Sequence, residues 1–355
     1  VSRWIKFVVS LAITGGALWW TFRGTDWDQM WAALRYANWW ILGWYLLILV
    51  LIHFARTLRW GHLLSAQEKV PFKPLNDASA IGFMMLVLLP FRLGEFARPF
   101  LIAQRSKIRR SAAMTTVVFE RIVDGVAIAA LLLVLLLFIP PDAPDVGKIR
   151  VGGVLTFAVF FGGFLFLLVA RWQHDRVIAA LRAVFGLASK RLANKVVHIV
   201  DGFVGALKQM PDGRNMTLFI FWTVVYWVAN GFGMALFAKA FDCSGAEGAA
   251  AAICQPLSLT LFQGYVVLGA VIVGMLIPAA PGSAGTFQFA ILLALGLFLP
   301  QPVVKSSGVA YANVLWIVQM LQQIAFGLFF MVRSHLSFTD IAGRLSERGD
   351  QATGA

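Results

Sequence analysis

Long apolar runs, each closed by a polar or Pro/Gly-rich break, dominate the chain. Trp4–Phe22, Trp39–Leu64, Ala112–Phe138, Ile149–Ala170, Met216–Phe241 and Ser306–Val332 read as spanning helices, each long enough to cross about 30 Å of hydrocarbon. Between the first two, Asp26–Ala37 (DWDQMWAALRYA) is short, Trp-rich and amphipathic, which predicts a helix lying in the membrane interface. Two stretches break the pattern. Ala78–Leu89 is too short to span comfortably and runs into Pro90. Gly248–Val304 has no charged residue and no His, and IPAAPGSAGTFQF (Ile277–Phe289) interrupts it with two prolines and two glycines. It makes either two full spans or one re-entrant hairpin.

The flanks of these breaks suggest how they are arranged. Basic residues bracket the first: Arg56, Arg59, Lys69 and Lys73 before it, Arg105, Lys107, Arg109 and Arg110 after it. With both basic loops on one side, the segment between them enters and returns, and irregular backbone at that depth must be buried in protein or line a wet cavity. The second break sits between weakly charged loops (Asp242 and Glu247 before, Lys305 after). Paired Pro/Gly-interrupted segments in two halves point to an inverted repeat with a site near the midplane. The expected fold class is therefore all-α, a polytopic integral membrane helical bundle of about six to eight spanning helices, with two broken or re-entrant segments. It forms a single membrane domain over 1–355: a first half 1–170, a basic segment 171–214, a second half 215–333 and a polar tail 334–355. In the basic segment, Val177, Leu181 and Val184, then Leu192, Val196, Ile199, Phe203 and Leu207 beyond a break at Gly186, keep helical spacing. That predicts two amphipathic helices on the cytoplasmic surface.

Composition supports the membrane reading. Of 355 residues 59% are apolar and only 13% charged, too few polar groups to clothe a soluble domain. The net charge of +13 sits largely in short loops beside apolar runs. It follows the positive-inside rule and attraction to anionic headgroups rather than nucleic-acid binding. Both termini and the 171–214 segment are thus expected in the cytoplasm, with the acidic, Pro-rich Pro140–Asp145 outside. Arg3 and Lys6 before an apolar run have the look of a signal peptide, but bulky Trp19, Trp20 and Phe22 end it, so the first span is retained. Cys243 and Cys254 show no metal spacing and imply no disulfide framework.

The charged residues that do enter the apolar pattern are the candidate chemistry. Arg92, Glu95 and Arg98 lie on the Pro-broken turn that starts at Pro90, and Glu120, Arg121 and Asp124 run directly into Gly125–Phe138. On a helix the last three fall within an arc of about 100° and share a face. Each costs about 2.5–3.5 kcal/mol at the bilayer centre, more in sum than the roughly 5 kcal/mol that Val126–Phe138 returns. They must be paired, face water or lie near the headgroups. Arg121 with Asp124 is an i, i+3 ion pair on this reading. Arg56 and Arg59 either snorkel to the headgroups or line a headgroup site. Two readings of the whole set stand side by side: the charges knit the broken segment to the next helix, or the arginines hold a lipid phosphate bidentately while the carboxylates orient them or carry coupling protons. Pro90, Gly94, Pro278, Pro281, Gly282, Gly285 and Gln288 are the candidate hinge and cavity residues. His53, His62, His174, His198 and His335 are scattered without metal spacing, and PGSAG lacks the Lys-Ser/Thr pair of a P-loop. Neither an enzyme activity nor a cofactor or metal is expected.

Four segments, ARTLRW (Ala55–Trp60), PFRLGEFARP (Pro90–Pro99), FERIVD (Phe119–Asp124) and IPAAPGSAGTFQ (Ile277–Gln288), resemble in order and spacing the membrane region of lysylphosphatidylglycerol synthases, a flippase-like family. The resemblance covers nearly the whole chain and implies a lipid-translocating bundle in a bacterial or archaeal cytoplasmic membrane. Full-length synthases carry a soluble aminoacyl-transferase domain after this region. Here a short tail follows Val332, so the resemblance gives no reason to expect lipid aminoacylation. The function expected is a flippase or transporter for a phospholipid or other phosphate-bearing lipid. The alternatives are an intramembrane lipid-modifying or glycosyl-transferring enzyme, a structural accessory subunit, or, more weakly, a small-solute carrier. Candidate partners are membrane lipids, a second copy of the chain or a separate lipid-synthesising enzyme; nucleic acid is not among them.

Overall fold

A computed structural model describes residues 3–89, 94–140, 146–187, 189–190, 194, 197, 200, 211–248, 252–277 and 281–334. Pro90, Arg92, Pro278, most of the Pro140–Asp145 loop, the tail beyond Ser334 and the second expected amphipathic helix lie outside them. Every regular element among the described residues is helical. In chain order they are α1 (Arg3–Phe22), α2 (Trp27–Arg35), α3 (Trp40–Leu64), α4 (Phe72–Leu88), α5 (Ala97–Arg105), α6 (Arg110–Leu136), α7 (Val146–Trp172), α8 (His174–Gly186), α9 (Gly213–Ala238), α10 (Leu261–Gly274), α11 (Thr286–Leu295) and α12 (Val309–Arg333). A short turn from Gln301 and a π-helical segment Val304–Gly308 lead into α12.

Four helices are long and apolar enough to cross a membrane: α3, α7, α9 continued to Phe241, and α12 continued back to Gln301. α6 is as long, at 27 residues, and is set apart by Glu120, Arg121 and Asp124 within its length. The outer faces carry large exposed apolar residues such as Trp40, Val159 and Leu155, the inverse of a water-soluble surface and the dress of a lipid-facing one. This is a multi-pass helical membrane protein.

Local signals set the helix ends. Asp26 accepts from the Gln29 N–H at 3.0 Å to start α2, and Asp212 does the same for Asn215 ahead of α9. Hydrogen bonds from the Asn215 backbone and side chain hold the Asp212 carboxyl below its ordinary range. A reciprocal Thr260–Gln263 capping box opens α10, as a Thr-x-x-Gln spacing dictates.

The two ends of the bundle differ. At one, Arg105 reaches Asp77 at 2.9 Å and Ser334 bonds the same carboxylate at 2.7 Å, so α4, α5 and α12 meet there. His62 and Asn215 join α3 to α9 at this end, and Lys69, Lys73, Lys107, Arg109, Arg110 and Arg214 flank the same helix ends. At the other end Asn38 N–H bonds Ala240 O, Asp26 N–H bonds Lys305 O, and Cys243 is joined to Cys254 by a disulfide. That bridge was not legible from the sequence: the spacing of 11 carries no framework, and only the turn after Phe241 brings the two thiols together.

α4 and α5 form an antiparallel hairpin entered from the basic end. α10 and α11 form a second, entered from the disulfide end. Each has a tip that glycine makes feasible. A Cβ at Gly94 would lie 2.0 Å from Leu86 N, so the first tip exists only because backbone meets backbone there. In the second, Gly282 and Gly285 have φ of 65° and 83°, which L side chains adopt at a cost. The second tip, Pro281–Ser283, packs against α4, so the hairpins touch.

The packing repeats with the halves exchanged. α3 packs along α9; α4 packs on α12 while α10 packs on α6; α5 lies on α6 as α11 lies on α12. Each hairpin is clasped by the long helix of the opposite half. α3 and α9 run in opposite directions between the two ends, as do α6 and α12, which is the inversion anticipated from the layout of breaks.

Candidate functional site

Three helices of the first half bring their charges together. Arg59 of α3 is completely buried. Its guanidinium grips Asp124 of α6 with two bonds of 2.7 Å, Nη1 to Oδ1 and Nη2 to Oδ2, and Nη2 also donates to Glu120 Oε1 at 2.7 Å. Glu120 and Asp124 are four apart on one helix, so one planar fork reaches both. Arg98 of α5 donates to the two oxygens of Glu120 at 3.3 and 3.4 Å. Arg121 Nη2 reaches Glu120 Oε1 at 2.7 Å. From the other half, Trp227 of α9 donates its indole N–H to Asp124 Oδ1 at 3.2 Å.

Aromatic rings complete the cradle. The Arg98 guanidinium lies 4.3 Å from the Trp60 ring and 4.7 Å from Phe83, and Arg59 lies 4.6 Å from Tyr226. Rings at these distances attract cations without supplying a counter-charge. Arg56 is held in this way alone: its guanidinium sits 3.5 Å from the Phe83 ring and 5.8 Å from Tyr226. Among the described residues no carboxylate lies within ion-pairing distance of it, and its buried Nε has no hydrogen-bond partner. Arg56, Arg59, Arg98 and Arg121 give four positive charges against two on Glu120 and Asp124 and a third on Glu95 in the adjoining recess.

Arg56, Arg121 and Asp124 line a cavity of about 200 Å³ at the centre of the bundle. Across it stand Asn230 of α9 and Gln319, Gln322 and Gln323 of α12; His53, Tyr226 and Trp227 also line it, and much of the remaining wall is apolar, with Leu268, Val271, Met275 and Phe287 from the second hairpin. Glu95 borders a smaller recess with Gly94, Arg56, Arg98 and Arg121.

The expected residues divide. Arg56, Arg59, Arg98, Glu120, Arg121 and Asp124 are brought to one place. Arg59 does not snorkel: it is the centre of the network. Arg121 does not serve as the main partner of Asp124, standing 3.9 Å away while Arg59 takes both oxygens; a fork from a neighbouring helix aligns with the carboxylate better than a side chain bending back along its own. Gly282, Gly285, Pro281 and Gln288 build the second tip and do not line the central cavity. Gln288 is buried with its amide oxygen accepting from Gly285 N–H at 2.8 Å, which makes it a cap. The aromatic cradle and the amide wall lie outside the set expected from the sequence. Their signal lay in the i, i+3, i+4 spacing of Gln319, Gln322 and Gln323, and in Tyr226, Trp227 and Asn230, polar groups recurring on one side of otherwise apolar helices.

A model of the family described as Lysylphosphatidylglycerol synthase TM region matches residues 7–327, nearly the whole chain. No curated protein and no solved structure matches it.

Proposed function

The chain belongs to the lysylphosphatidylglycerol synthase transmembrane-region family, and on that footing we propose that it moves a phosphate-bearing lipid across the membrane through the central cavity. The observation that carries this reading is Arg56. A cation with no carboxylate at ion-pairing distance among the described residues, facing a cavity inside a membrane bundle, is expensive to keep, and an anionic headgroup supplies the missing charge. Arg121 borders the same space and gives the phosphate a second guanidinium. In the Arg59–Asp124–Glu120–Arg98 network each charge already has a counter-charge, and the network holds the frame. The two readings of the charged set thus fall on different residues: most of them knit, and Arg56 with Arg121 binds. The lipid is moved, not modified.

The basic end of the bundle faces the cytoplasm, following the positive-inside rule, and so do both chain ends. The disulfide end faces outside, where oxidising conditions let such a bridge persist. Each hairpin is then re-entrant, one from either leaflet, with the tip of the second against α4 of the first, the arrangement of inverted-repeat transporters.

Two measurements test this. The full chain, reconstituted into vesicles with a fluorescent phospholipid, is expected to speed exchange between leaflets as read by a membrane-impermeant quencher. Arg56→Ala should weaken lipid binding by about 1.5–3 kcal/mol, roughly 10- to 150-fold, with near-normal melting temperature. Exchange no faster than in empty vesicles overturns the transport reading. Single cysteines at Asp28 and Arg182, in a Cys243→Ser/Cys254→Ser background, should label from opposite sides; labelling from one side overturns the topology.

A further inference from the structure

The cavity's walls differ in kind, and the difference bears on which lipid it takes. Resting on the transport reading above, we infer that the site selects a phosphodiester lipid whose headgroup is neutral and rich in hydroxyls, and discriminates against one ending in an ammonium group.

The absence of a free carboxylate comes first. An ammonium headgroup carried into a low-dielectric cavity needs a counter-charge or it is severely penalised. Among the described residues Asp124 is the one acid lining the central cavity, and its oxygens are taken by Arg59 and Trp227. Glu120 is fully buried between three arginines. What remains toward the cavity is positive, from Arg56 and Arg121, and repels a cationic headgroup.

The amide wall supplies the positive criterion. The Asn230 side-chain NH2 donates to Tyr226 O at 2.8 Å, Gln319 NH2 donates to the Tyr45 hydroxyl at 2.8 Å, and Gln323 NH2 donates to Gln319 O at 3.4 Å. Each anchors its nitrogen, which leaves three amide oxygens as acceptors. Gln322 is the complement: its Nε2 is buried without a partner while the residue lines the same cavity. Three acceptors and a donor, none of them charged, match vicinal hydroxyls, which donate and accept alike. A buried amide lacking its partner costs binding, so a headgroup without hydroxyls is rejected.

Size agrees. Pockets for whole drug-sized ligands run to about 300–1,000 Å³, and a cavity of about 200 Å³ takes a headgroup and not a whole lipid. Leu276, exposed at the rim, offers acyl chains an apolar way out. The phosphate is assigned to Arg56 and Arg121, and the hydroxyls to Asn230, Gln319, Gln322 and Gln323. A glycerol and a sugar headgroup share this chemistry.

The test is binding of short-chain lipids to the detergent-purified full chain, followed by native mass spectrometry and thermal shift. The set comprises phosphatidylglycerol, phosphatidylinositol, phosphatidic acid, phosphatidylethanolamine and lysyl-phosphatidylglycerol. The two hydroxyl headgroups should bind at least about tenfold more tightly than the two bearing amines, with phosphatidic acid between them. Comparing phosphatidylglycerol with phosphatidylinositol separates the glycerol source from the sugar source. Gln322→Leu with Gln323→Leu should erase the preference while keeping anionic lipid bound, and Gln323→Glu should shift it toward amine headgroups. Equal or tighter binding of the amine lipids by the unmodified chain, or a preference untouched by the glutamine variants, overturns this inference alone. An Arg56→Ala chain that binds every lipid as before, or an unmodified chain that binds none, overturns the transport reading together with it.

Discussion

α6 and α12 occupy equivalent places in the exchanged packing, and they solve the same problem with different chemistry. α6 turns Glu120, Arg121 and Asp124 inward, while α12 presents Gln319, Gln322 and Gln323. The first hairpin is tied to α6 by charge, Arg98 on Glu120. Among the described residues the second is tied to α12 by a neutral bond, the Trp316 indole N–H on Gly282 O at 2.8 Å. A buried ion network resists being opened because each broken pair strands a charge, whereas a neutral hydrogen bond is worth about 1 kcal/mol net. An architecture that repeats itself has kept the geometry in both halves and put the expensive bonds in only one. The polar tie of the second hairpin to its long helix is therefore the weaker of the two.

The sharpest way to break the comparison is at Arg59. Arg59→Ala strands Asp124 and part of Glu120, and should cost about 3–5 kcal/mol, read as a fall in melting temperature in detergent. Asp124→Asn in the same chain should recover much of that loss; a double-mutant cycle without coupling would place the stability of the first half elsewhere. Next come the tips. Gly94→Ala drives a methyl into the backbone at Leu86, and Gly285→Ala meets Thr14 O at 2.8 Å with φ at 83°. Each should destabilise by about 1–3 kcal/mol, and tips that accept alanine freely would show that backbone contact does not set them. Trp316→Phe removes the bond holding the second hairpin and should cost about 0.5–1.5 kcal/mol, a fraction of the Arg59 effect in the same melting assay. The smallest effect has the opposite sign. Gln322→Met retires a buried N–H group without a partner and should stabilise by up to about 1 kcal/mol, measured on lipid-free protein. A loss there would mean the amide wall serves the frame.

Much of the frame could be read from the chain. The predicted Trp39–Leu64 and Ala112–Phe138 spans correspond to Trp40–Leu64 and Arg110–Leu136, because apolar length speaks directly about helices in hydrocarbon. The first broken segment began earlier than Ala78, at Phe72. Asp77 interrupts the apolar pattern but is answered by Arg105 and Ser334, and a satisfied carboxylate does not end a helix. At the site, the charged residues announced themselves by standing where charges are costly. Their partners did not: Arg59 and Asp124 are 65 residues apart, and nothing in local spacing prefers that pairing to Arg121 with Asp124. The amides stayed hidden because glutamine in an apolar helix carries no charge penalty large enough to single it out.

The Arg59 network also bears on how the chain is made. Arg59 emerges from the ribosome 61 residues before Glu120 and 65 before Asp124, about 3–13 s at 5–20 residues per second. During that interval Arg59 has no carboxylate, and inserting it alone costs about 2.5–3.5 kcal/mol. α6 arrives with two acids of its own, each as unwelcome in lipid as the arginine. Neither helix is well placed by itself, and each becomes so once the other is beside it. Membrane insertion of the first half is therefore a paired event, so that losing Arg59 lowers the share of chains that insert as well as the stability of those that fold.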